Sequence, residues 1–120
     1  MKQKSDSLLS KGIKKVNLAE EELMKPHNDI VSFSVCSNAR SSIHLLLESY
    51  LLKHKIPFKE QESIALLLER CALNDKRFKS VDITNIDCRH TATKESYCSG
   101  VDKVNSCYNT AKKIEELVLN

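Results

Sequence analysis

The stretch Val35-Cys36-Ser37-Asn38-Ala39-Arg40-Ser41-Ser42-Ile43-His44-Leu45-Leu46-Leu47-Glu48-Ser49-Tyr50-Leu51 decides the fold. Val35, Cys36, Ala39, Ile43, Leu46, Leu47, Tyr50 and Leu51 recur at intervals that place them on one face of an α-helix. Upstream, Asn28 is a good N-cap and Asp29 suits the positive end of a helix. The pattern continues to about Lys55, which predicts a helix of about 40 Å at 1.5 Å per residue. One local signal runs the other way. Val31-Ser32-Phe33-Ser34-Val35 alternates with period two, as a half-buried strand does. Five residues cannot form a sheet alone and no partner strand of similar quality is present, so the segment is read as helix, with its extent over residues 31–35 left open.

Outward from this helix, the chain divides into similar segments. Leu9, Ile13, Val16, Ala19 or Glu20, and Leu23 predict a first helix over Ser5–Met24, capped by Ser5 or Asp6 and ended by Lys25-Pro26. Gly12 inside it costs about 1 kcal/mol against Ala. Residues 1–4 are expected to fray. Ile56-Pro57 breaks the chain after the long helix. A third helix is expected from about Lys59 to Leu73, with Ile64, Leu67, Leu68, Cys71 and Ala72 inward and Asn74-Asp75 closing it. Lys76 to Arg89 reads as a loop with a short helical turn, anchored by Phe78, Val81, Ile83 and Ile86. A last helix starts between Thr93 and Ser99 and runs to about Leu119, with Tyr97, Val101, Val104, Cys107, Ala111, Ile114 and Val118 on one face. Four amphipathic helices with short links predict an all-α, up-and-down antiparallel four-helix bundle forming one domain over residues 1–120. The composition agrees, because two Gly and two Pro in 120 residues are too few for the tight turns of a small β-sandwich or barrel.

The balance of 19 basic and 16 acidic residues, net +3, fits a charged surface and does not demand nucleic acid. Hydrophobic content of 41% excludes wholesale disorder. The longest apolar run, Ile64 to Leu68, is far short of the roughly 20 residues a membrane span needs. Met1 to Lys15 has no apolar export core. A cytoplasmic protein without a membrane partner is therefore expected. Its five cysteines, at 36, 71, 88, 98 and 107, are read as reduced thiols that fill the core.

Two groups of side chains carry candidate chemistry. Arg40, His44 and Glu48 lie at i, i+4 and i+8 beside the Ile43/Leu47 face. They form either a groove for a phosphate or a base, or a solvated or dimer-edge stripe in which Glu48 pairs with His44. Arg89 and His90 sit where a loop meets the last helix, a place from which side chains reach a ligand, or else they are an exposed basic pair. Cys88, His90, Cys98 and Cys107 do not suit zinc. The ligands lack close pairing, and Cys98 and Cys107 are about 13 Å apart by helical rise. Two glycines exclude the phosphate-cradling glycine loops. No catalytic residue, metal or cofactor is assigned.

The order of these features resembles the HEPN superfamily of small helical bundles, over about residues 8 to 119. Leu18-Ala19-Glu20-Glu21-Glu22-Leu23 resembles its first-helix A-E-x-x-L pattern. Ser42-Ile43-His44-Leu45-Leu46-Leu47-Glu48-Ser49-Tyr50-Leu51-Leu52 resembles its second-helix stretch ending in K-A-L-L, followed by a short Lys/Ile/Pro link. Cys71-Ala72-Leu73-Asn74-Asp75-Lys76-Arg77-Phe78 resembles its D-x-x-F turn. Arg89 stands where many members carry Arg-Tyr-Pro. Catalytic members are metal-independent ribonucleases in which an Arg is followed, after four to six residues, by a His. None of Arg40, Arg70, Arg77 and Arg89 has a His at that distance. Arg40 and His44 have three residues between them, and Arg89 and His90 are adjacent. The Tyr and Pro are replaced by His90 and Thr91. The resemblance therefore implies a divergent, non-catalytic member. Such members are often homodimers that bind a nucleotide or RNA, or work beside a minimal nucleotidyltransferase in a toxin–antitoxin-like pair. Two alternatives stay open: a metal-independent ribonuclease with a displaced Arg/His site, and a purely structural helical adaptor.

Overall fold

Leu46 of the long central helix packs so closely on the first helix that only a glycine fits opposite it. A Cβ at Gly12 would stand 2.9 Å from Leu46 Cγ and 3.3 Å from the Leu46 backbone nitrogen. This contact belongs to a computed structural model that describes residues 2–26, 32–59, 62–81 and 101–119. Within them the chain forms α1 (Lys2–Leu23), α2 (Ser32–Lys53), α3 (Ile64–Asn74) and α4 (Val101–Leu119), with a 3-10 turn at Lys76–Ser80. The described residues contain no strand. No helix among them is long and apolar enough to cross a membrane.

α2 is the centre of the molecule. Val35, Cys36, Ala39, Ile43, Leu46, Leu47, Tyr50 and Leu51 are all buried, as the periodicity predicts. The helix packs most extensively on α1, then on α4, then on α3. Val16 and Ala19 of α1, Leu67 and Cys71 of α3, Phe78 of the turn, and Cys107, Ala111 and Ile114 of α4 complete the core. Each fully buried Leu or Ile contributes about 1.5–3 kcal/mol by leaving water. From Ser32 onward the described part of the period-two stretch is helical; Val31 lies outside the described residues. The proposed caps Asn28 and Asp29 lie outside the described residues, as do the candidate starts of the last helix between Thr93 and Ser99.

α1 and α2 run antiparallel, since Ser5 meets Ser49 and Gly12 meets Leu46. Ser5 was expected as the N-cap of a helix with a frayed segment before it. Instead the helix begins at Lys2, and Ser5 is buried inside it. Its hydroxyl donates to the Ser49 carbonyl at 3.0 Å, while the Ser49 hydroxyl donates to the Ser5 carbonyl at 2.9 Å. This reciprocal pair satisfies two buried hydroxyls and fixes the register of the two helices.

α2 ends at a Lys55 in the left-handed region, φ 60°. Ile56 N donates to Leu51 O at 2.8 Å and Lys55 N to Leu52 O at 3.1 Å, a Schellman-type close. α3 begins at Ile64 and not near Lys59, because Ser63 caps it by accepting from Leu66 N at 3.2 Å. Three pairs link α3 and the residue before its cap to α2: His44 with Glu62, Leu47 with Cys71, and Tyr50 with Asn74. These advance together along both helices, so the chain doubles back before α3 and departs at this step from a plain up-and-down order. Asp75 then closes α3 and caps the 3-10 turn, accepting from Arg77 N at 3.0 Å. Phe78 is fully buried edge-on to Tyr50, with ring centroids 4.8 Å apart.

The cysteines do not all follow the expectation of reduced thiols. Cys36 is disulfide-bonded. Cys71 and Cys107 are buried and carry no disulfide. Burial pushes the Cys71 thiol up to about 12, which makes it inert at neutral pH.

Gly12→Ala gains about 1 kcal/mol of helix propensity, but it drives a methyl against the Leu46 branch point and backbone, where overpacking costs about 1–3 kcal/mol. A net fall in melting temperature is expected, and a larger one for Gly12→Leu. A Gly12→Ala protein that melts higher than wild type would show that the close α1–α2 approach is not needed.

Candidate functional site

The same burial that makes α2 the core leaves one polar stripe along it. Arg40, His44 and Glu48 are half-buried and follow one another at four-residue steps. The start of α3 faces this stripe. Between them lies an open cleft of about 420 Å³ lined by Arg40, Ser41, His44, Glu62, Ser63 and Ile64.

Each wall has a local cause. α2 is held rigid by its packing, so Arg40, Ser41 and His44 have a fixed base. The opposite wall is the capped entrance to α3. There Glu62 is buried, and Arg70, nearly two turns into the helix, grips its carboxylate through both arms of the fork. Nε donates to Oε2 at 2.9 Å and Nη2 to Oε1 at 2.7 Å. That geometry is bidentate and charge-assisted, the strong form of such a pair. The Arg70 guanidinium holds the Glu62 carboxyl below the usual glutamate range against a smaller opposing effect of burial. Glu62 in turn raises Arg70.

His44 joins the two walls. Its Nε2 lies 3.0 Å from the Glu62 carbonyl oxygen and its Nδ1 3.3 Å from Glu48 Oε1. Both ring nitrogens therefore face acceptors, and the imidazole is pinned at two points. Arg70, Glu62, His44 and Glu48 form one continuous chain of polar contacts from α3 across to α2.

Of the residues singled out from the sequence, Arg40 and His44 line the cleft, and Glu48 braces His44 from behind. The His44–Glu48 pair expected of a plain surface stripe is present alongside the cleft. Arg89 and His90 lie outside the described residues. Glu62, Ser63 and Arg70 were not singled out. The only sequence signal for them was a Ser before the apolar run Ile64-Ala65-Leu66-Leu67-Leu68, which marks a cap. Placing the helix start at Lys59 concealed it, because Glu62 and Arg70 then became ordinary positions eight apart. No group of His, Cys, Asp and Glu among the described residues is placed to hold a metal ion.

No protein-family model, curated protein or solved structure matches this chain.

The fork gives a test with a definite sign. Because the carboxyl of Glu62 is lowered in the folded state, its pairing stabilises the protein above the ordinary glutamate range and is lost as pH falls through the lowered folded value. Arg70→Met should melt a few degrees below wild type at pH 7, and the gap should narrow as the pH falls through the lowered folded value and Glu62 takes up its proton. A gap of the same size at both ends, measured by circular dichroism melts, would mean that Arg70 acts through packing alone.

Proposed function

We propose that this chain is a non-catalytic, HEPN-like helical module that homodimerises and binds a nucleotide in the cleft between α2 and α3, or a protein partner such as a minimal nucleotidyltransferase. The observation that carries the reading is the cleft itself. The polar stripe picked out by helical spacing forms one of its walls, with a guanidinium and an imidazole beside the capped start of a helix, where backbone N–H groups favour an anion. The antiparallel α1–α2 pair and the Asp75–Phe78 turn support the HEPN-like arrangement, whose up-and-down order is part of the proposal. The doubling back before α3 is the feature that argues against that order. The cytoplasmic setting also belongs to the proposal, and the Cys36 disulfide argues against it.

Ribonuclease activity fits less well. A general base needs a nitrogen directed at the proton it removes. Here one nitrogen of His44 faces the Glu62 carbonyl and the other faces Glu48. A second reading, a helical adaptor, has one observation in its favour. Leu66 and Leu73, seven residues apart on α3, are both exposed, Leu73 at 83%. They form an apolar edge against which a partner helix could pack.

Melting curves with and without added nucleotides, with light scattering for mass, test the main reading. A nucleotide that raises the melting temperature of a dimer, with the rise weakened in Arg40→Ala or Arg89→Ala, is the expected result. A monomer unmoved by every nucleotide and by a candidate nucleotidyltransferase would remove the reading. RNA cleavage in the presence of chelator that disappears in His44→Ala would replace it with the ribonuclease.

A further inference from the structure

We infer that one end of the bundle binds double-stranded DNA through its phosphate backbone, without regard to sequence, at a surface apart from the cleft. α1 begins at this end, because Ser5 meets Ser49 near the close of α2. α3 finishes here, because Asn74 donates to the Tyr50 hydroxyl at 2.8 Å. The 3-10 turn follows it. Arg77 donates to Leu117 O and Lys113 to Ser80 O, which ties that turn to the last turns of α4. Lys4 on α1, Lys53 and Lys55 at the close of α2, and Lys76, Arg77 and Lys79 on the turn are all exposed. Asp6 and Asp75 are the carboxylates that stand with them among the described residues. On α4, Lys113 and Glu116 add one charge of each sign, and Lys112 and Glu115 pair with one another. Lys59 lies farther back, beside Glu62. Six cations against two carboxylates leave an excess of four positive charges, whereas the whole chain carries only +3. The positive charge of the protein is gathered at one end.

Internal partners do not use up this charge. Arg77 is committed to Asp75, with Nε and Nη2 both donating to Oδ2 at 3.0 and 2.7 Å. The five lysines make no ion pair with a described residue. The C-termini of α2, α3 and α4 and the N-terminus of α1 meet here. At about half a charge each, they offset about one of the four. The remainder suits a polyanion with closely spaced charges, and a DNA duplex presents one phosphate per about 1.7 Å of its axis. Single strands are held by bases stacked on aromatic rings, but Tyr50 and Phe78, the rings at this end, are buried. Double-stranded RNA is recognised in part by hydrogen bonds to its 2′-hydroxyls. Here the Asn74 amide is engaged with Tyr50 and the Ser80 hydroxyl with the Arg77 carbonyl. These commitments of Arg77, Asn74 and Ser80 also withdraw them from base edges, so the contacts are to phosphates and carry no sequence preference. None of the five lysines lines the cleft, and the nucleotide reading stands or falls separately.

The test is fluorescence anisotropy of the full chain with a labelled DNA duplex of about 20 base pairs, between about 50 and 200 mM salt and without divalent cations. The logarithm of the binding constant should fall with that of the salt concentration at a slope of about −3. Lys53→Gln, Lys55→Gln, Lys76→Gln and Lys79→Gln should each make the slope shallower by up to about one, with the melting temperature unchanged. Lys25→Gln, at the opposite end of α1, should leave it as in wild type. Duplexes of unrelated sequence should bind alike, and the single strand and the matching RNA duplex several-fold more weakly. The inference is overturned by a duplex that does not bind at the lowest salt, by a slope that the lysine substitutions do not move, or by tighter binding of the single strand or the RNA duplex. Complete displacement of the duplex by polyglutamate of equal charge would also overturn it, in favour of an acidic protein partner. Where a variant melts early, the wild-type slope and the comparison of duplex with single strand still decide the matter.

Discussion

Everything in this molecule is arranged around the approach of Leu46 to Gly12. Two helices of 22 residues each come within van der Waals contact of one another's backbone there. The reciprocal Ser5–Ser49 pair fixes how they slide. Once α1 is seated, one flank of α2 is closed. α4 and the Phe78 turn close others. Among the described residues, Arg40, His44 and Glu48 form a half-buried polar stripe on α2 that faces the start of α3. The position of the cleft thus follows from core packing and not from any feature of a ligand.

Much of the core could be read from the chain because burial imposes a period. The α2 face was legible in full, and so was the closing role of Asn74-Asp75, because apolar spacing and capping chemistry are local properties. The role of Gly12 was not. From the sequence it looked like a cost to helix propensity, whereas the structure shows it as a requirement of a contact 34 positions away. Ser5 was misjudged for the same reason. A serine near a helix start is a cap by local rules, but this one spends its hydroxyl across the bundle. The α3 start was displaced because a helical pattern can be extended backward through Lys59 to Glu62 without an apolar mismatch. What stops it is the Ser63 cap and the Arg70 grip on Glu62, and the second of these is a contact between residues on either side of the helix start.

The candidate site divides in the same way. Its α2 wall, Arg40 and His44, could be named because four-residue steps on one helix are visible in any sequence. Its α3 wall could not, since Glu62 matters through a backbone carbonyl and through a guanidinium eight residues on. The resulting chain, Arg70 to Glu62 to His44 to Glu48, ties the two walls of the cleft together. The imidazole of His44 lies between two acceptors and acts as a strut between them.

The most direct measurement is a two-dimensional amide correlation spectrum of the isotope-labelled protein titrated with nucleotides. The account predicts shifts that saturate and that concentrate at Arg40 to His44 and at Glu62 to Ala65, with α1 and the far end of α4 unmoved. Shifts confined to other parts of the chain, or a spectrum that no nucleotide perturbs, would contradict it.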